Sequence, residues 1–255
     1  MSEHAALAES IAREAGAQLR DAFAGTRLRT ETKSSPTDLV SEADLAAERL
    51  IRERLLAARP EDGMLGEEGS DSAGTSGLRW IVDPLDGTTN FLFGLPQWGL
   101  SIAVEDGEGM LAGVVYDPLR DECWAATRDG PATLGGEPLR RPDPPDGLAT
   151  ALVATGFGYE ADVRAVQAEI VGRLLPRVRD IRRFGSAALD LAWTAAGRYD
   201  AFFERGLKVW DMAAGALICE RAGLEVRPLA PVPPAEAGVL VAPTALADEL
   251  APLLG

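Results

Sequence analysis

The chain has a single histidine, His4, and only two cysteines, Cys123 and Cys219, far apart and without paired spacing. That scarcity excludes much chemistry. Zinc prefers imidazole and thiolate donors, and neither a disulfide framework nor a Cys-rich metal cluster can be built from two distant cysteines. His4 falls in an N-terminal stretch expected to fray, so a Ser-His-Asp or Cys-His mechanism has no base. No Walker-type glycine loop occurs, and no Gly-x-Gly-x-x-Gly follows a strand-like run, which speaks against a nucleotide-dependent kinase or dehydrogenase. No apolar stretch approaches the roughly 20 residues that span a bilayer. The first residues also lack a basic region followed by an apolar core, so a cytoplasmic protein is expected.

What is present is the composition of a globular protein. The 255 residues are 46% hydrophobic and 25% charged, enough for one large domain or two halves. Acidic residues outnumber basic ones 40 to 25, a net charge of −15, which disfavours nucleic acid or an anionic membrane surface as the main partner. A small phosphate is not excluded, because bound cations can reverse the local field. The chemistry left to the chain runs on carboxylates, hydroxyls, lysine or metal.

Periodicity supplies an outline. Leu7, Ile11, Ala15, Leu19 and Phe23 recur at helical spacing over residues 2–24. Residues 25–40 are polar and turn-rich. Ser41 followed by Asp44 then reads as a capping box opening a helix carried by Leu45, Ile51 and Leu55. Residues 99–104 and 110–116 flank an acidic turn like a β-hairpin, with further short antiparallel strands at 122–126 and 131–139. The Pro-rich residues 140–147 mark a boundary, giving an N-terminal half, 1–145, and a C-terminal half, 146–255. Beyond it, strands at 149–155, 180–184, 199–203 and 238–242 alternate with helices at 162–175, 186–196, 212–222 and 244–254. The expected fold is therefore helices on a mostly antiparallel sheet followed by an α/β half.

Three acidic stretches carry the candidate chemistry. In Trp80-Ile81-Val82-Asp83-Pro84-Leu85-Asp86-Gly87-Thr88-Thr89-Asn90, an apolar strand runs into two carboxylates and a turn, with Pro84 placing Asp83 at the strand's end. A helix beginning near Gly87 or Thr88 would point unpaired N–H groups at the space before those acids, a setting for a phosphate held through cations. Gly66-Glu67-Glu68-Gly69 by itself reads as a solvated turn, and Asp211 in Trp210-Asp211-Met212-Ala213-Ala214-Gly215 by itself reads as a helix N-cap, a role compatible with ligating a metal through its other oxygen. Taken together, Glu67, Asp83, Asp86 and Asp211 offer only hard oxygen donors. Clustered without cations they would repel one another, so they imply a multi-metal site suited to Mg²⁺ or Mn²⁺.

In order and over nearly the full length, Gly66-Glu67-Glu68, the run WIVDPLDGTTNF at residues 80–91, Arg183-Phe184-Gly185-Ser186-Ala187-Ala188 and Trp210-Asp211-Met212-Ala213-Ala214-Gly215 resemble the inositol monophosphatase family. This group belongs to the lithium-sensitive, magnesium-dependent sugar phosphatases. The resemblance implies an αβαβα sandwich, inhibition by Li⁺, two to three Mg²⁺ ions and a homodimer. It further implies that Glu67, Asp83 and the Leu85 carbonyl bind one ion, that Asp83, Asp86 and Asp211 bind a second, and that Glu67 helps hold a third. Gly87 and Thr88 would bind phosphate through backbone N–H groups, while Asp44 and the Thr88 hydroxyl orient and deprotonate the attacking water. Glu204 would accept hydrogen bonds from substrate hydroxyls, with Gly185, Ser186 and Ala187 against the ring. Lys33 and Glu68 are further candidates near the metals. Arg182, Arg183, Arg205 and Lys208 are either surface charge or a seat for a second phosphate. The implied activity is hydrolysis of myo-inositol 1-phosphate or a similar ester. The alternatives are a fructose-1,6-bisphosphatase or histidinol-phosphatase of the same family, and a non-catalytic sugar-phosphate-binding regulatory protein.

Overall fold

A computed structural model describes residues 2–23, 30–32 and 39–255. Helix α1 (Glu3–Phe23) and the short antiparallel pair β1 (Thr30–Thr32) and β2 (Leu39–Ser41) precede α2 (Glu42–Ala58). An eight-stranded sheet follows, built from β3 (Gly63–Gly66), β4 (Asp71–Ser72), β5 (Arg79–Asp86), β6 (Gly99–Asp106), β7 (Gly109–Asp117), β8 (Glu122–Thr127), β9 (Thr133–Leu134) and β10 (Glu137–Pro138). Its spatial order is β10-β9-β8-β7-β6-β5-β3-β4, antiparallel except between β3 and β5. Helix α3 (Thr88–Leu92) interrupts the chain between β5 and β6.

The rest of the chain forms β11 (Leu152–Thr155), α4 (Ala161–Leu174), β12 (Asp180–Arg182), α5 (Ala187–Ala195), β13 (Ala201–Arg205), α6 (Val209–Arg221), β14 (Glu225–Leu229), β15 (Gly238–Ala242) and α7 (Thr244–Leu254). Its five strands lie in the order β12-β11-β13-β15-β14. Pairs β11/β12 and β11/β13 are parallel, whereas β13/β15 and β14/β15 are antiparallel.

Strand alternation dictates the layering, because successive side chains point to opposite faces. Trp80, Val82, Ile102, Val104 and Val114 pack with α1 and α2, while the intervening Ile81, Ala103 and Val115 pack with α5 and α6. Likewise Phe202, Val239 and Val241 face α5 and α6 from the second sheet, and Phe203, Leu240 and Ala242 face α4 and α7. The result is a five-layer αβαβα sandwich. The middle helices are covered on both sides, which explains why α5 is apolar nearly all round. They also need small residues: a Cβ on Gly113 of β7 would stand 2.7 Å from the Cα of Ala214 in α6.

Four expectations need correction. His4 is not frayed; it lies in α1, whose first turn is capped by Ser2 Oγ accepting the Ala5 N–H at 3.2 Å, and its ring centroid is 6.1 Å from that of Trp80. Strand β5 does not stop at Asp83. Its ladder breaks in a bulge after the Asp83 and Ser101 pair and rejoins where Asp86 faces Gly99, so Pro84 sits where no ladder N–H is needed. Helix α6 begins three residues before the expected Met212. Strand β14 was not anticipated, because Glu225, Arg227 and Pro228 look like loop; it is an edge strand, the place a sheet tolerates such residues.

The α6 contact generates a prediction. Gly113→Ala should destabilise the fold by about 1–3 kcal/mol through overpacking against backbone, lowering Tm by roughly 2–4 °C per kcal/mol. An unchanged melting curve would show that α6 is not held at close range by β7.

Candidate active site

The site forms where β5 leaves its sheet. Asp83 is buried at 1% exposure. Its Oδ1 accepts the Leu85 N–H at 3.0 Å, and its Oδ2 is buried with no hydrogen-bond partner among the described residues. Burial, then the negative charges of Glu67, Asp86 and Asp211, push its carboxyl well above the usual carboxylate range. Asp86, at the end of β5, accepts two hydrogen bonds on Oδ2, from Ser186 Oγ at 2.7 Å and from the Ala188 N–H at 2.6 Å. These oppose the effect of burial, and the group is raised only to about 6.

Glu67 comes from the turn after β3, whose pairing beside β5 is continued by the Glu67 N–H bonding the Val82 carbonyl at 3.1 Å. The turn is held by a residue that the sequence reading passed over. Glu48, buried on α2, accepts the N–H groups of Glu68 at 2.8 Å and Ser70 at 2.9 Å. Its carboxylate occupies the space a Cβ on Gly66 would need. A signal existed, since Asp44, Ala47, Glu48, Ile51 and Leu55 share one helical face and an acid on an apolar face needs a partner.

Asp44 is fully buried in the first turn of α2, and its Oδ1 accepts the Thr88 hydroxyl at 2.8 Å. The Leu85 carbonyl lies 3.2 Å from the same hydroxyl. Gly87 precedes α3 with φ of 100°, a left-handed conformation that favours glycine. Lys33 and the side chain of Ser41 fall outside the described residues.

Asp211 arrives from the opposite side, on α6. It is not the N-cap but the third residue of the helix, and its Oδ2 turns back to accept the Lys208 N–H at 2.7 Å. Ser101 of β6 fixes this end by donating to the Trp210 carbonyl at 3.0 Å. Burial and the charge of Asp86 raise Asp211 to about 8. Glu204 on β13 rises to about 8 as well, from burial, with the nearby Arg183 charge working against it. Its carboxylate fills the place of a side chain at Gly156. Asp190 on α5, also passed over, is 1% exposed, and burial followed by the charges of Glu204 and Asp86 pushes its carboxyl well above the usual range, with the Tyr199 hydroxyl opposing.

Arg205 is corrected as a candidate substrate contact. Its guanidinium is spent on the carbonyls of Ala230, Leu254 (2.9 Å) and Gly255 (3.0 Å), anchoring the end of α7. Arg183 instead stays exposed, 5.8 Å over the Phe157 ring.

The arrangement thus couples Glu67, Asp83, Asp86 and Asp211 electrostatically around the buried Asp83, the other three being half-buried, with the Asp44–Thr88 pair contributed by α2 and α3. Their donors are all oxygen. No group of three or more His, Cys, Asp or Glu side chains among the described residues is already arranged to hold a metal ion. The acids are gathered without being closed on a common centre, and the orphaned Asp83 Oδ2 is an open ligand position that a hard cation fits.

Comparison with known proteins gives the family and the fold. The family model described as "Inositol monophosphatase family" matches residues 1–254. An inositol-1-monophosphatase SuhB of Mycobacterium tuberculosis is 42% identical, covering 96% of this chain and 90% of that protein. A Nus factor SuhB of Xylella fastidiosa is 46% identical, covering 75% of this chain and 69% of its own length. The crystal structure of extragenic suppressor protein suhB from Bartonella henselae superposes with a TM-score of 0.91 at 35% identity, covering 99% and 98% of the two chains. Among the described residues no helix is long and apolar enough to cross a membrane.

The raised carboxyls fix a pH dependence. A group whose folded pKa lies above its unfolded value of about 4 stabilises the fold while protonated and loses that contribution as pH rises through the folded value. Asp86 at about 6 and Asp211 and Glu204 at about 8 define the window. In chelator, Tm should fall as pH rises from about 4 to about 8, and added Mg²⁺ should reverse most of the fall. A Tm in chelator independent of pH over that range would contradict the assignment.

Proposed function

Because the chain belongs to the inositol monophosphatase family, we propose that it is a Mg²⁺-dependent phosphomonoesterase acting on myo-inositol 1-phosphate or a similar polyol phosphate. One observation carries this reading: the buried Asp83 and the half-buried Asp86 and Asp211 repel one another, with an Asp83 oxygen that meets no N–H or hydroxyl donor among the described residues, near the hydrogen-bonded Thr88 and Asp44.

The ligands for two to three ions are Glu67, Asp83, the Leu85 carbonyl, Asp86 and Asp211, with Mn²⁺ an acceptable substitute for Mg²⁺. Bound divalent cations supply charge neutralisation of the phosphate and acidification of water. The chain's own groups do the rest. The first N–H groups of α3, from Gly87 and Thr88 onward, lack intrahelical acceptors and receive phosphate oxygens. The Thr88 hydroxyl points its proton at Asp44 Oδ1, 2.8 Å away, and so presents its oxygen to accept a hydrogen bond from water. As water attacks phosphorus in line with the ester bond, its proton passes to Thr88 while the Thr88 proton passes to Asp44. The ester P–O bond breaks, and solvent protonates the departing alkoxide. On the leaving-group side, Glu204 orients the polyol through hydroxyl donors, and the backbone of Gly185, Ser186 and Ala187 lies along the ring.

A second reading is a regulatory protein that binds a phosphate ester without turning it over, raised because the Xylella relative carries the name of a Nus factor and not of a phosphatase. Phosphate release separates the two. With Mg²⁺, wild-type protein should hydrolyse myo-inositol 1-phosphate faster than fructose 1,6-bisphosphate or histidinol phosphate, and Li⁺ should inhibit. Binding without release from any ester would favour the regulatory reading, and release from histidinol phosphate alone would replace the substrate. Asp83→Asn should lower kcat at least about 1,000-fold, consistent with losing some 4 kcal/mol of transition-state stabilisation. Near-normal turnover at saturating Mg²⁺ would remove Asp83 from the ligand set.

A further inference from the structure

The 80–91 run contains a buried amide, Asn90, to which the reading above gives no task. It is 6% exposed, and its Nδ2 faces three carbonyls: Gln97 at 2.7 Å, Phe184 at 2.6 Å and Gly185 at 3.3 Å. Three acceptors around one nitrogen set the orientation of the amide, since its oxygen in that place would meet only oxygens.

The carbonyls belong to different parts of the molecule. Gln97 packs on the turn before α3, where a Cβ on Gly87 would stand 3.0 Å from its oxygen. Phe184 and Gly185 open the turn into α5, nearly a hundred positions further on. Gly185 has φ of 83° and is followed by Ser186, so the turn depends on a glycine and has little regular structure of its own. Asp86 holds its far end through Ser186 and Ala188. Asp86 is also a candidate cation ligand, whereas Asn90 is bound only to backbone.

We propose that Asn90 is a positioning residue that sets the distance between the phosphate-holding turn at Gly87 and Thr88 and the polyol-holding turn at Gly185 to Ala187. It thereby governs the fit of the leaving group and leaves the phosphate seat as it is. The proposal rests on the phosphatase reading for its substrate. An ester that touches both turns senses their separation, and inorganic phosphate senses only one of them.

The test compares wild type with Asn90→Asp, which keeps the shape and turns an oxygen toward the three carbonyls, and with Asn90→Ala, which removes the tie. For myo-inositol 1-phosphate, kcat/KM should fall about 10- to 100-fold, mainly through KM, the range expected for unpairing buried hydrogen-bonding groups. The inhibition constant of inorganic phosphate should stay within about twofold. Equal losses for ester and phosphate would assign Asn90 a general structural role and overturn the proposal, as would no loss for the ester. If Asn90→Asp fails to fold, Asn90→Ala decides alone. If wild type hydrolyses no ester, the phosphatase reading fails separately, and amide hydrogen exchange then tests the tie without turnover. Exchange over residues 184–188 should rise at least about tenfold in the variant while β6 is unchanged. Unaltered exchange in that turn would overturn the proposal.

Discussion

The structure depends on carboxylates kept close together with too little water and too few hydrogen bonds to solvate them. Asp83 is the extreme case, with one oxygen engaged by its own turn and the carboxyl set among the negative charges of Glu67, Asp86 and Asp211. A group in that state is costly unless it is protonated or meets a cation. The surrounding architecture reads as a means of tolerating this cost. Asp86 draws two donors from the turn into α5, Asp211 draws one from the start of α6, and the turn carrying Glu67 is tied down by Glu48. The acids come from three parts of the chain, Asp83 and Asp86 from β5, Glu67 from the turn after β3 and Asp211 from α6, so no rearrangement of one segment disperses them.

Bringing elements of two sheets to one point requires the middle layer to be thin. Helices α5 and α6 meet that requirement with alanine and glycine at their contacts, as at Gly113 against Ala214 and Gly215 against Leu191. Larger residues there would push α6, and Asp211 with it, away from β5. The packing of small residues and the electrostatics of the site are thus one constraint seen twice.

Much of this was legible in the sequence because it rests on local rules. Strand β15 and helix α7 have the bounds that alternation and helical spacing predict, and the β6/β7 hairpin follows from its acidic turn. The acidic candidates were visible because carboxylates at strand ends and in glycine turns are exposed to sequence inspection. What failed to show depends on tertiary partners. Pro84 looked like a stop until the bulge supplied a place without a ladder bond. Strand β14 lacks an apolar face to announce it. Helix α6 begins at Val209 because Asp211 reaches back to Lys208, a bond across three residues that makes an acid near a helix start either N-cap or third residue. Arg205 looked like surface charge, yet its partners are carbonyls 25 to 50 positions away. Asn90 lay in plain view inside the most informative run, but its task is defined by Phe184 and Gly185, which no spacing rule connects to it.

These long-range ties divide the site into parts with different tolerances. The acids of β5, the turn at Gly87 and the Asp44–Thr88 pair form a dense cluster in which a change to one charge alters the ionisation of the others. The segment from Arg183 to Ser186 is attached to that cluster through a few hydrogen bonds from Asn90 and Asp86, and Arg183 remains exposed over Phe157. Under the proposed function, the electrostatics of phosphoryl transfer are confined to the cluster, while the shape accepted as leaving group is set by a turn that can vary around fixed attachment points. A fold built this way can change substrate by altering residues near 157 and 183 with little effect on the charges that hold phosphate, whereas a change at Glu204, which is raised in part by the charges of Asp211 and Asp86, reaches them.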